Sequence, residues 1–307
     1  MADRDAELLT ELSPAAEALL ERHLDKAREW FPHELVPWSQ GRDFEPGERW
    51  DPDGAPMDEA VRSALFVNLL TEDNLPHYFR TIREMFSIDQ PWGAWARRWT
   101  AEEGRHSIVI RDYLTVTRSV DPVALERGRM AQVSRGEVPQ PDSIPDLLVY
   151  VTLQELATRI AHTNTGRLVG DRRGREVMAR VAGDEQLHHV FYRDLSSAAM
   201  ELDPSAMVIA IDAQVRGFEM PGTGIPDFGA HARAIAAAGI YDFANHHDQI
   251  LEPVVLRHWG LETLEGLHPE AEEARARVVR HIAKVGRVGR RMAERRAERD
   301  EALAATG

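Results

Sequence analysis

Along most of this chain apolar residues recur at intervals of three and four, the period of a helix face packed against protein. The longest stripe is Trp92, Trp95, Trp99, Glu103, His106, Ile110 and Leu114, which predicts a helix over about 91–118. A second, Leu65, Leu69, Glu72, Leu75 and Phe79, predicts a helix over about 57–86 that Pro76 kinks or breaks near Glu72. Leu148, Val151, Glu155, Thr158 and His162 predict a third over about 143–169. Met178, Val181, Glu185, His188, Tyr192 and Leu195 predict a fourth over about 171–200. Further helices over 205–216, 230–256 and 269–302, with a Pro- and Gly-rich break at 221–229, fill the C-terminal 203–302. No segment alternates apolar and polar residues as a half-buried strand does, so the chain reads as all-α.

At the N-terminus Ser13 reads as an N-cap and Pro14 as the first residue of a helix that ends near Trp30. Residues 31–57 hold five prolines, Pro56 among them, and read as a loop whose Trp38, Phe44 and Trp50 pack on the core. The connection 119–142 has room for a short helix around 122–134.

Each of the four main stripes carries ionisable residues on its apolar side, where an unpaired charge is costly. They repeat a pattern. Glu72 precedes Glu103 by 31 residues and Glu155 precedes Glu185 by 30, and both later glutamates open Glu-x-x-His, closed by His106 and His188. A spacing near 30 fits an antiparallel helix pair, whereas the 52 residues from Glu103 to Glu155 demand a long crossover. Two hairpins joined by one crossover is the ferritin-like four-helix bundle, and two lone Glu with two Glu-x-x-His is its di-metal ligand set. In that geometry Glu72 and His106 bind one metal, Glu155 and His188 the other, and Glu103 and Glu185 bridge. Four inward carboxylates would repel one another strongly without cations. A purely structural pair of ion pairs is the other reading, weakly motivated because apolar replacements serve as well or better. A third Glu-x-x-His, Glu265 to His268, lies between glycine and proline off any stripe and reads as accidental. His246 and His247 with Asp242 read as ordinary helix surface.

Composition narrows the chemistry. The 307 residues contain no cysteine, which removes disulfides, thiol catalysis and thiolate-bound metals. Carboxylate and imidazole suit iron or manganese and, with less force, zinc. A net charge of −14 argues against a nucleic-acid binder. No run reaches the roughly 18 apolar residues of a membrane span, and the acidic start lacks the form of a signal peptide, so the expectation is a cytoplasmic protein without a transmembrane segment. The whole of 1–307 reads as a single domain.

The words around the ligands resemble a family. Leu70-Thr71-Glu72-Asp73 with Leu75-Pro76, Trp99-Thr100-Ala101-Glu102-Glu103-x-Arg105-His106, Gln154-Glu155-x-Ala157-Thr158 with His162 and Asn164, and Asp184-Glu185-x-x-His188 are similar to the soluble acyl-acyl-carrier-protein (acyl-ACP) desaturases. The resemblance covers roughly residues 30–300. It implies a homodimeric di-iron enzyme that uses O₂ and two electrons from a ferredoxin-type donor. The product would be a cis double bond in a fatty acyl chain held on acyl carrier protein. It makes Glu72, Glu103, His106, Glu155, Glu185 and His188 the iron ligands and matches Thr158 to a proton-delivering threonine. It also matches Trp38 and Asp184 to an electron path, although Trp38 reads equally as a packing aromatic. His189 stands where plant members have Glu and is expected to be solvated or to support a ligand. The floor of the substrate tunnel falls near Thr81, Glu84 and Met85.

Carrier protein and ferredoxin are acidic. Residues 275–299, with ten basic and two acidic side chains, offer a surface that would steer them, and Arg172, Arg173 and Arg175 form a second cluster. The alternatives are another di-iron oxidase or N-oxygenase and a ferroxidase-type iron-binding protein without acyl substrate. The helices beyond 203 favour substrate or partner handling over a bare bundle.

Overall fold

A computed structural model describes residues 2–54, 57–86, 88–220, 222 and 224–306, with side chains at 2, 3, 300 and 303–306 left aside. Pro56 and part of the 221–229 break thus lie outside the described residues. Those residues form helices and loops only, without a strand. The four main helices are α3 (Glu59–Glu72), α5 (Trp92–Val116), α7 (Ile144–Leu168) and α8 (Arg172–Leu202). Before and between them come α1 (Ala2–Lys26), α2 (Pro32–Leu35), α4 (Leu75–Met85) and α6 (Pro122–Arg135). After them come α9 (Pro204–Arg216), α10 (Phe228–Ala237), α11 (Phe243–His246), a π-helix (His247–His258) and α12 (Pro269–Thr306).

In the bundle α3 packs on α5 and α7, and α8 packs on α5 and α7. The hairpin α7–α8 turns tightly, with Asp171 capping α8 through the Gly174 N–H at 2.8 Å. Gly166 lets the two helices approach closely, since a Cβ there would stand 2.8 Å from Met178 Cβ. The break at Pro76 falls where expected. α3 ends at Glu72, and α4 starts behind Asn74 with Pro76 in its first turn, where a missing N–H costs nothing.

Three expectations need correction. α1 starts at Ala2 and runs through Pro14, so Ser13 is no cap. Leu8, Leu9, Leu12, Ala16 and Leu20 form one buried stripe on both sides of Pro14. Burying each leucine contributes about 1.5–3 kcal/mol, enough to outweigh the ~3 kcal/mol cost of an interior proline. The predicted helix 230–256 is split. Gly239 takes φ +71°, and Asp242 then caps α11 in a box with Asn245. The aromatic loop packs on the end of α5 rather than on the core. The Trp50 indole donates to the Arg118 carbonyl at 2.7 Å, the Arg118 guanidinium lies over Phe44, and Trp38 is half exposed.

The apolar interior falls into two large clusters. One joins α1, α4, the first half of α5, most of α7 and the second half of α8, around Trp95 stacked on Phe191 with centroids 3.5 Å apart. The other joins α3, the second half of α5 and the first half of α8, around Leu65, Ile110 and Met178. Along α5 and α8 the polar residues Glu103 to His106 and Asp184 to His189 lie between these clusters.

Candidate metal centre

Each bundle helix brings its inward carboxylate to the same depth. Glu72, Glu103, His106 and Glu185 have ligand atoms all within 4.8 Å of one another, and so have Glu103, Glu155, Glu185 and His188. Glu103 and Glu185 belong to both groups. All six side chains are buried, both imidazoles completely. His106 Nδ1 stands 3.4 Å from Glu103 and from Glu185 and 3.7 Å from Glu72. His188 Nδ1 stands 2.8 Å from Glu103 and 3.5 Å from Glu155.

Four of the polar atoms at the centre have no hydrogen-bond partner. His106 Nδ1, His188 Nδ1, Glu103 Oε1 and Glu155 Oε2 are all buried without one. The outer nitrogens are occupied. His188 Nε2 donates to Glu102 Oε2 at 3.0 Å, and His106 Nε2 faces Asp184 Oδ2 at 3.4 Å. A neutral imidazole that donates from Nε2 keeps a lone pair on Nδ1. Two such lone pairs therefore face four carboxylates, a donor set that cations complete and that all-oxygen-and-nitrogen chemistry suits to iron or manganese.

The charge balance of the protein alone points the same way. Burial opposes ionisation of Glu155 and the neighbouring Glu185 adds to it, so the Glu155 carboxyl is pushed well above its ordinary range. Burial and Glu185 likewise raise Glu103. Burial would lower His106 and His188, but the carboxylates around them win and both are pushed well up. Glu72 is held below its ordinary range because His106 and His162 outweigh its burial. Too many buried anions share too few cations.

Thr158 lies one turn after Glu155, and its hydroxyl donates to Glu185 Oε2 at 2.9 Å. Asp184 accepts from the indole of Trp30 at 2.9 Å and from Arg105 at 3.0 Å. Trp38 does not take that place. Its indole donates to the His33 carbonyl on the surface, five residues back along the chain. The tryptophan that bonds Asp184 is Trp30, missed because it lies beyond the end of α1, outside any periodic stripe. Glu102 was missed as well, since it sits off the main α5 stripe, yet it is only 3 % exposed. His188 and His23 overcome its burial and keep it ionised. His162, on the α7 stripe, reaches Glu72 Oε1 at 3.2 Å.

Of the remaining expectations, His189 is buried, not solvated. Its Nδ1 bonds the Thr152 carbonyl at 2.9 Å, and burial lowers it to about 4, a neutral core histidine. His246 and Asp242 are also buried rather than superficial, His246 against Phe218 and the Tyr241 hydroxyl. Glu265 and His268 lie in an exposed loop, far from the α-helical stripe geometry of the other two pairs. Thr81 is buried and Met85 half-buried, whereas Glu84 points to solvent and so lines no apolar path.

Two small cavities, of about 10 and 30 Å³, adjoin the metal-facing side. Leu75, Tyr78, Trp99 and Thr158 line the first; Val67, Met220, Gly222 and Phe228 line the second; both touch Thr71 and Glu72. A larger groove of about 520 Å³ between α1 and α9 touches none of the six candidate ligands.

The chain resembles known proteins along most of its length. The fatty acid desaturase family matches residues 4–306. The chain is 42 % identical over 281 residues to a Mycobacterium tuberculosis protein named acyl-[acyl-carrier-protein] desaturase DesA1, covering 88 % of this chain and 83 % of that one. It is 29 % identical over 315 residues to the stearoyl-[acyl-carrier-protein] 9-desaturase of Spinacia oleracea chloroplasts, covering 96 % and 78 %. The crystal structure of DesA2 from M. tuberculosis superposes with a TM-score of 0.71 at 28 % identity, over 87 % of this chain and 99 % of that one.

Proposed function

The chain belongs to the fatty acid desaturase family, and from that premise we propose that it is a di-iron acyl-ACP desaturase. The observation that carries the reading is the pair of inward Nδ1 lone pairs surrounded by four buried carboxylates. Glu72 and His106 would hold one iron and Glu155 and His188 the other, with Glu103 and Glu185, which belong to both donor groups, shared between them. When bound, the iron pair would supply the oxidising power that an unactivated methylene C–H requires; O₂, two electrons and two protons enter, and with the two hydrogens lost from the chain they leave as two waters. The polypeptide supplies everything else. Leu75, Tyr78, Trp99, Met220 and Phe228 wall the apolar approach to the centre. Thr158 holds a proton at Oγ1 beside Glu185. Asp184 links His106 to Trp30, a hydrogen-bonded contact on the side away from the acyl approach and suited to electron entry from a ferredoxin-type donor.

Charge supports an acidic partner. Of the basic residues on α12, Arg275, Arg277 and Arg296 are tied to Glu272, Asp212 and Asp242. Arg280, Lys284, Arg287, Arg291 and Arg295 face solvent at spacings of three and four. That row steers an acidic carrier protein or electron donor toward a chain that is acidic elsewhere. Arg172 and Arg173 share Glu176, which makes the second cluster the weaker attractor. Among the described residues no helix is long and apolar enough to cross a membrane. We place the enzyme in the cytoplasm as a homodimer, with 1–307 as one domain.

The test is metal analysis and turnover of the iron-loaded protein with acyl-ACPs of several chain lengths, ferredoxin, its reductase, NADPH and O₂. Two irons per chain and an unsaturated product are expected, and the product fixes the double-bond position. O₂ consumption without unsaturated product would favour another oxidase, and failure to bind iron would overturn the reading.

A further inference from the structure

The two histidines of the centre are backed by the same device, built crosswise. The acid preceding the bridging glutamate of one helix reaches over to the histidine of the other, so Glu102 of α5 meets His188 of α8 and Asp184 of α8 meets His106 of α5. Behind each acid stands a ring from the N-terminal segment that does two things at once. Trp30 donates to Asp184 and lies nearly parallel to His106, with centroids 6.4 Å apart and planes at 11°. His23 contacts Glu102 at 2.9 Å and lies nearly parallel to His188, with centroids 5.8 Å apart and planes at 20°. The contact with His23 was not foreseen from sequence, because His23 sits in the last turn of α1, outside the bundle.

We propose that His23 is a positioning residue for the metal centre, holding Glu102 against the outer nitrogen of His188. The proposal rests on the two-metal reading above. Glu102 Oε2 lies between two imidazole nitrogens, 2.9 Å from His23 and 3.0 Å from His188, and an ionised carboxylate can only accept from both. The other oxygen, Oε1, meets Arg98 at 2.5 Å, and the Arg98 side chain is 38 % exposed. Without His23, Arg98 and Arg105, the latter 4.0 Å from the same oxygen, would compete with His188 alone for Glu102 and could draw it outward. His188 would then lose the acceptor that fixes its tautomer and ring orientation, the property on which ligand strength depends. Trp95 meets His23 edge-on at 5.1 Å and His188 edge-on at 6.1 Å, so one indole closes the gap behind both rings. His23 itself is 3 % exposed. α1 thus becomes part of the metal site, although it supplies no ligand.

The experiment titrates Fe²⁺ anaerobically into metal-free wild type, His23→Leu, His23→Gln and Leu12→Ala, and records the Mössbauer spectrum of each loaded protein. Leucine keeps the burial and removes the hydrogen bond. Glutamine restores a donor. Leu12→Ala opens a cavity in α1 without touching Glu102, and so reports what loosening the helix does by itself. Expected is a roughly 10–100-fold weaker second iron in His23→Leu, with one of the two iron signals altered. Recovery is expected in His23→Gln, and wild-type metal binding in Leu12→Ala. Two irons bound by His23→Leu with wild-type affinity and spectrum would overturn the proposal, as would equal losses in His23→Leu and Leu12→Ala. Fewer than two irons in wild type would instead overturn the two-metal reading, and this proposal with it.

Discussion

The Trp30 indole N–H donates to Asp184 at 2.9 Å, and its ring lies nearly parallel to the His106 imidazole that Asp184 also faces. This places a buried aromatic in hydrogen-bonded series with a candidate ligand, with the part-exposed Arg105 over the indole at 4.7 Å. Trp30→Phe is expected to slow reduction of the iron-loaded enzyme by a ferredoxin-type donor at least tenfold while leaving two irons bound. Trp38→Phe is expected to stay within twofold of wild type. Stopped-flow reduction of both variants checks the assignment, and equal behaviour would return the path to Trp38 or to neither.

Thr158→Val keeps the shape of the side chain and removes the O–H that donates to Glu185. Metal content should not change, because the hydroxyl is not in the ligand set. Desaturation should fall by about 10²-fold, the lower range for losing a positioned proton donor, with O₂ consumption falling less than product formation. The ratio of O₂ consumed to double bonds formed is the measurement; a ratio unchanged from wild type would assign Thr158 a packing role only.

Metal removal should cost stability. Four buried carboxylates are left facing one another and two imidazoles, with several of their polar atoms unpartnered, once cations are gone. At free metal about a hundredfold above Kd the holo-protein gains ~2.7 kcal/mol over the metal-free chain. Chelation should therefore lower the melting temperature by several degrees, and added Fe²⁺ should restore it. Glu103→Gln combined with Glu185→Gln removes two of the competing anions, and this variant should melt at a temperature almost independent of chelator.

Stability should fall in mild acid through His246, away from the metal centre. Burial, with His281 and His247 adding to it, lowers this imidazole to about 4. In the unfolded chain it titrates near 6.5. Between pH 6.5 and 4 the unfolded state binds a proton that the folded state refuses, so stability rises with pH across that window and is fully present above it. The contribution is at most ~3 kcal/mol at its full extent. Denaturant titrations at pH 7.5 and 5.0 should show a smaller drop in His246→Gln than in wild type; identical drops would remove His246 from the account.

The bundle, the six candidate ligands and their division between four helices were legible in the sequence because each depends on local period. Three- and four-residue spacing puts Glu103 and His106 on the buried face of α5, and a repeat near 30 residues pairs that helix with α3, as the structure finds. Two kinds of feature were not legible. The extent of α1 across Pro14 was decided by burial on both sides of the proline, and the break at Gly239 by a positive φ, neither of which a helical period registers. The residues behind the histidines were hidden for a different reason. Glu102 meets His188 across 86 positions, Asp184 meets His106 across 78, and Trp30 meets Asp184 across 154. The sequence by itself determined which side chains face inward, since helical geometry is a property of neighbours. Only the tertiary structure decided which carboxylate and which ring back each histidine, since hydrogen bonds between distant segments depend on how the helices cross.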